Sequence, residues 1–170
     1  MNFSYILSFL FLSSCAAPHP REDLVKKITK EYSKKVKIEN SLVLSGTGSA
    51  IPDDIHTFIL DFDGNQKLEL GEVRTLVVSL VEDLLQMINN NPEIQCHLSN
   101  RPFTAKNYEL RISFFESLQV RVEFPYVAYI SLIDGVICYN YYDNKIHEFT
   151  DKTFKETYKE AFKIVKEEIN

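Results

Sequence analysis

Two hydrophobic periods divide the chain into elements. From Glu22 to about Lys37 the apolar residues Leu24, Val25, Ile28, Tyr32 and Val36 return every three to four positions, which lays one apolar stripe along a helix. Ser41 to Leu44 reads as a short strand, and Gly46, Thr47, Gly48 and Ser49 as a turn where glycine permits positive φ. Ile55 to Phe62 is rich in β-branched and aromatic residues and mostly apolar on both alternating sets, the pattern of a central strand covered on both faces. From about Leu70 to Asn89 the helical period takes over. Val73, Leu76, Val77, Leu80, Leu84, Met87 and Ile88 share one face, and Val78, Val81 and Leu85 widen it, so this is the expected main core helix. Asn89, Asn90, Asn91 and Pro92 end it, because proline has no backbone donor. Glu93 to Asn107 carries neither period, with Arg101 to Thr104 expected as an ordered loop.

Beyond it the period becomes two. Tyr108, Leu110, Ile112 and Phe114 alternate with Glu109, Arg111 and Ser113, as in a strand with one wet face; Leu118, Val120, Val122 and Phe124 repeat the pattern. A bend at Pro125 leads into Tyr126 to Ile133, and Asp134 and Gly135 form a tight hairpin turn into Val136 to Tyr142. Thr153 and Glu156 stand at capping-box spacing ahead of Phe154, Tyr158, Ala161, Phe162, Val165 and Ile169, one face of a terminal helix. The expected fold is α+β: an antiparallel sheet of about four strands packed by two or three helices, one of them N-terminal.

The first residues follow another logic. Phe3 to Leu12 is an apolar run of signal-peptide length, too short for a bilayer core that needs roughly 20 residues. Leu12, Ser13, Ser14 and Cys15 resemble the lipobox of bacterial lipoproteins, in which signal peptidase II cuts before the cysteine and its thiol is acylated. The resemblance implies a diacylglyceryl thioether, usually with a further amide-linked chain such as palmitate, and hence stable membrane anchoring through Cys15. Cleavage by ordinary signal peptidase after Ala16 or Ala17 is the alternative. In Gram-negative lipoproteins an aspartate after the cysteine resembles an inner-membrane retention signal; Ala16 there leans toward the outer membrane. Residues 1–14 are thus expected as signal peptide, 15–21 as lipidated cysteine and tether, and 22–170 as one domain. From Gly46 through Arg101 to Asn107 (RPFTAKN) the chain is similar to small lipoproteins of intracellular bacteria, a group that carries no assigned activity.

Charge and cysteine content refine this picture. Apolar residues at 45% and charged residues at 25% are ordinary for a globular domain. The net charge is −5, yet Arg21 to Lys37 holds seven basic residues against three acidic ones. A solvated helix face, or attraction to anionic headgroups beside the anchor, accounts for such a segment; a nucleic-acid binder would spread its basic stripe over the folded domain. With Cys15 acylated, Cys96 and Cys138 remain, as two small buried residues or as a disulfide.

The most specific candidate chemistry is Asp61 to Glu72, DFDGNQKLELGE, which resembles an EF-hand calcium loop. The resemblance implies Asp61, Asp63 and Asn65 as ligands, Lys67 as the carbonyl ligand and Glu72 as the bidentate closing residue, although Gln66 stands where glycine is required. The same Asp61-Phe62-Asp63-Gly64 resembles the first motif of haloacid-dehalogenase phosphatases, with Asp61 as nucleophile, but the antiparallel meander expected next departs from that family. His19, His56, His97 and His147 show no metal-ligand spacing, and His97 beside Cys96 cannot face it as a dyad. Tyr126, Tyr129, Tyr139, Tyr141 and Tyr142 cluster as cross-strand partners or as a recognition surface. The expected function is a non-enzymatic, lipid-anchored envelope protein that binds another macromolecule or supports envelope structure, with no cofactor and no metal. Calcium binding at 61–72 is the first alternative and a hydrolase the second.

Overall fold

The computed structural model describes residues 20–118 and 120–169; the signal segment, Cys15 and His19 lie outside them. Helix α1 (Pro20–Asn40) buries Val25, Ile28, Thr29, Tyr32 and Val36 along the stripe expected from the sequence. Glu22 and Asp23 in its first turn and Lys37 in its last complement the helix dipole. It stops where Ser41 takes φ 56° and the Gln66 side-chain amide donates to the Asn40 carbonyl at 2.7 Å. Helix α2 (Leu70–Asn89) keeps the boundaries read from its period and buries Val73, Val77, Val78, Leu80, Val81, Leu84 and Ile88.

The sheet departs from expectation. It has seven strands: β1 (Val43–Ala50), β2 (Thr57–Gly64), β3 (Tyr108–Ser117), β4 (Val120–Arg121), β5 (Tyr129–Ile133), β6 (Val136–Asp143) and β7 (Glu148–Thr157), in spatial order β1-β2-β3-β5-β6-β7 with β4 beside β3. It is mixed. α2 carries the chain from β2 to a parallel β3, and every other pairing is antiparallel. The architecture is therefore α+β with α1, α2, a single-turn α3 (Pro92–Gln95) and α4 (Tyr158–Ile169). A helix between two strands permits the parallel register that a short turn forbids.

Four local expectations are corrected. Gly46 to Ser49 is strand, because the glycines lie flat against β2: a Cβ at Gly46 would sit 2.7 Å from the Asp61 Oδ2. β2 is interior but covered on one side, with Phe58, Leu60 and Phe62 buried and Thr57, Ile59, Asp61 and Asp63 half-exposed. The strand expected from Leu118 to Phe124 shrinks to Val120–Arg121, with Leu118 exposed. The segment after Asp143 turns at His147 (φ 56°) into β7, so Thr153 and Glu156 belong to a strand. The capping box lies four residues later, where Thr157 N–H and hydroxyl donate to Glu160 at 2.8 and 2.7 Å and the Glu160 N–H donates back to the threonine hydroxyl.

Other expectations hold. Asp134 and Gly135 turn the β5–β6 hairpin with φ 48° and 73°, both positive as a tight two-residue turn requires. The loop at Arg101 to Thr104 is ordered by Asn89, whose side chain bonds Phe103 N–H at 2.8 Å and Phe103 carbonyl at 3.0 Å.

Tyrosines anchor the core. Tyr32 donates to the Leu80 carbonyl at 2.7 Å, Tyr139 to Glu156 at 2.7 Å and Tyr158 to Glu82 at 2.6 Å. Burial, chiefly, pushes the phenols of Tyr32, Tyr108, Tyr139 and Tyr158 well above their ordinary range, and the carboxylates beside Tyr139 and Tyr158 add to it. A raised phenol keeps its proton only in the fold, so its contribution is complete below the unfolded value near 10 and is lost as pH rises. We expect stability to fall above about pH 10, with these four phenols ionising only as the domain unfolds. Phenolate absorbance and far-UV circular dichroism followed together check this; full ionisation with an unchanged dichroism spectrum contradicts it.

Candidate functional site

The helices leave one face of the sheet uncovered, and its side chains follow from the register. Asp61 of β2 lies opposite Arg111 of β3, Arg111 opposite Ser131 of β5, Ser131 opposite Cys138 of β6, and Cys138 opposite Lys155 of β7. The next row is Asp63, Ser113, Tyr129, Asn140 and Thr153. These positions alternate with the buried set and are half-exposed on β2, β3, β5 and β6.

Arg111 organises the first row. Its guanidinium donates to Asp61 at 3.1 Å and to Glu109 at 3.0 Å, clamping two carboxylates about one cation. Tyr129 stands beside this group; burial raises its phenol most, and Arg111 and Arg121 oppose the rise while Asp61 adds to it. Arg121 enters from β4. Its guanidinium carbon is 5.1 Å from the Phe115 ring centre, 5.2 Å from Phe149 and 5.9 Å from Tyr142, so its own charge fills an aromatic box. Tyr129 and Phe149 extend that box at 6.0 Å. The surface is polar and aromatic, suited to contact over an area rather than to enclosing a small molecule.

The residues singled out in the sequence are dispersed. Asp61 is held by Arg111, Lys67 pairs with Glu116 at 2.7 Å, and Glu72 accepts the Glu69 N–H at 2.9 Å as the reciprocal partner of the α2 cap. The EF-hand positions are thus divided between the open face and the helix cap, and among the described residues no three metal-ligating side chains converge. The parallel β2-α2-β3 unit is closer to the phosphatase pattern than the sequence had indicated, yet β5 beside β3 is antiparallel, and Asp61 is paired with Arg111. His97 meets the Ile55 segment through its backbone carbonyl, which accepts the Ile55 N–H at 2.8 Å. Cys96 and Cys138 are free, the first exposed and the second half-exposed, so neither the disulfide nor the buried pair occurs. Among the tyrosines, Tyr139 packs toward the helices, while Tyr129 and Tyr142 join the open face.

Sequence reading assigned no role to Arg111, Glu109, Arg121, Phe115 or Phe149. Glu109 and Arg111 were visible as the wet side of a strand, but Asp61, the second carboxylate that Arg111 binds, lies 50 residues away from it and meets it only through the parallel register.

Clefts lie at the margins. One of about 620 Å³ opens at the ends of β2 and β3, where Asp63, Asn65, Phe115 and Leu118 line it. A second of about 580 Å³ runs between α1 and β1. No family model, no curated protein and no solved structure matches the chain.

Proposed function

We propose that this is a lipid-anchored protein of the bacterial envelope that binds another macromolecule rather than catalysing a reaction. The carrying observation is the sequence Leu12-Ser13-Ser14-Cys15 five residues ahead of Pro20, where α1 begins. Five extended residues reach at most about 18 Å, so an acylated Cys15 holds the domain close to the lipid surface. No helix among the described residues is long and apolar enough to cross a membrane, which leaves Cys15 as the attachment in this reading. The first row of charged groups also supports binding: Arg111 bridges Asp61 and Glu109 on a flat, half-exposed face. Ala16 after the cysteine favours the outer membrane.

The lysine-rich side of α1 contributes less to membrane contact than its charge implies. Lys26 pairs with Glu22 and Asp23, Lys27 with Glu93, and Lys35 with Asp83 and Glu39. Attachment in this reading depends on the acyl chains. Intact mass and membrane fractionation of the native protein test it: we expect a mature chain starting at Cys15 with added acyl mass, sedimenting with membranes, and Cys15→Ser moving it to the soluble fraction. An unacylated chain starting at Ala17 or Pro18, free of membranes, overturns it.

A further inference from the structure

Strand β1 forms one edge of the sheet, so every second residue turns its backbone N–H and C=O away from β2 with no strand to receive them. Past the irregularity at Leu44 and Gly46, the run Gly46-Thr47-Gly48-Ser49-Ala50 pairs regularly with β2 and carries neither charge nor proline. The opposite edge differs. β7 sets Glu148, Asp151, Lys152 and Lys155 along its length, the charges that keep an edge from pairing.

Beside the bare edge lies the groove of about 580 Å³ beneath α1, lined by Val25, Thr29 and Lys30 from the helix and by Leu44, Thr47 and Ser49 from β1. Thr29 is 6% exposed, and its hydroxyl has no hydrogen-bond partner. A helical threonine commonly turns its hydroxyl back to the carbonyl four residues earlier, as Thr75 does to Gly71 at 3.1 Å. Thr29 leaves that oxygen shut inside the groove wall without a partner, whereas such atoms are as a rule hydrogen-bonded. Glu22 and Lys26 of the same lining pair with each other, whereas Lys30 is exposed and makes no ion pair among the described residues.

We infer that the β1 edge and the α1 groove form a docking site for an extended acidic segment of a partner protein, taken up by strand addition. The edge supplies a ladder along Gly46 to Ala50, about 17 Å at strand rise. The incoming side chain directed toward the helix layer enters the groove and offers its carboxylate to Lys30. A second copy of the chain is the less favoured occupant, because its own β1 carries no acidic residue to offer Lys30. The inference rests on the reading of the protein as a binding module and is independent of its anchor.

Hydrogen–deuterium exchange of the full chain in detergent tests it, with three probe peptides: alternating Val and Glu, the same peptide N-methylated at every second residue, and alternating Val and Lys. We expect the Val-Glu peptide to protect residues 43–50, the other two to bind at least about tenfold more weakly, and Lys30→Glu to weaken it about fivefold to tenfold. Lys30 is exposed, so Lys30→Glu tests the contact without disturbing the fold. Equal protection by the N-methylated or lysine peptide, or none by any, overturns the inference. So does protection of β1 that grows with protein concentration alone, which assigns the edge to a second copy. Intact mass of the same preparation reports acylation separately, so failure of the anchor and failure of the docking site are told apart.

Discussion

Glu156→Ala is expected to destabilise the domain by about 3–5 kcal/mol, read as a lower urea midpoint. Glu156 is 8% exposed on β7 and accepts from the Arg74 Nε at 2.8 Å and from the Tyr139 hydroxyl at 2.7 Å. The arginine side chain is itself only 12% exposed. Removing the carboxylate leaves a largely shielded guanidinium and a buried phenol without their acceptor, and the cost of that exceeds what the intact group contributes. The loss falls on one junction, since Arg74 belongs to α2 and Tyr139 to the neighbouring strand β6. Arg74→Met combined with Glu156→Met removes both charges together, and we expect it to cost less than the sum of the single changes. A loss under about 1 kcal/mol for Glu156→Ala would show that the group is solvated and unimportant to the fold.

Tyr32→Ala is expected to cost about 3–5 kcal/mol, and Tyr32→Phe about 1–2 kcal/mol. The ring is fully buried and stands edge-on to Phe62 at 6.3 Å and to Tyr108 at 6.5 Å, while its hydroxyl reaches the Leu80 carbonyl at 2.7 Å. One side chain therefore joins α1 to β2, β3 and α2. Hydrogen exchange separates this role from a general loss of stability: Tyr32→Ala should accelerate exchange in 20–40 more than in β5 and β6. Uniform acceleration would mean that α1 has no stability of its own to lose.

The elements that were legible in the sequence are those whose burial is one-sided and regular. α2 could be bounded because seven of its residues from Val73 to Ile88 are buried at helical spacing, and β3 because Tyr108, Leu110, Ile112 and Phe114 alternate with wet neighbours. The edges were not legible, for a physical reason. β7 is exposed on nearly every residue, so its sequence has no period to reveal it, and Thr153 with Glu156 imitates the cap that Thr157 and Glu160 actually make. β1 was masked by its glycines, which read as a turn although both lie in the strand and Gly46 serves close approach to Asp61. The open face was half legible. The alternation marked Glu109 and Arg111 as outward, but the clamp on Asp61 depends on a strand order that no local pattern carries.

The path of the chain through β2, α2 and β3 has a consequence for the order in which a growing chain can fold. β3 is the keystone of the sheet, with β2 on one side and β5 on the other. A polypeptide that arrives N-terminus first holds β1 and β2 as an unsupported hairpin until residue 108 and its successors appear, because the parallel pairing on which β2 depends cannot be closed by neighbours in sequence. Nearly two thirds of the chain must therefore be made before its first half can become native, and the interval leaves Phe58, Leu60 and Phe62 open to non-native contacts.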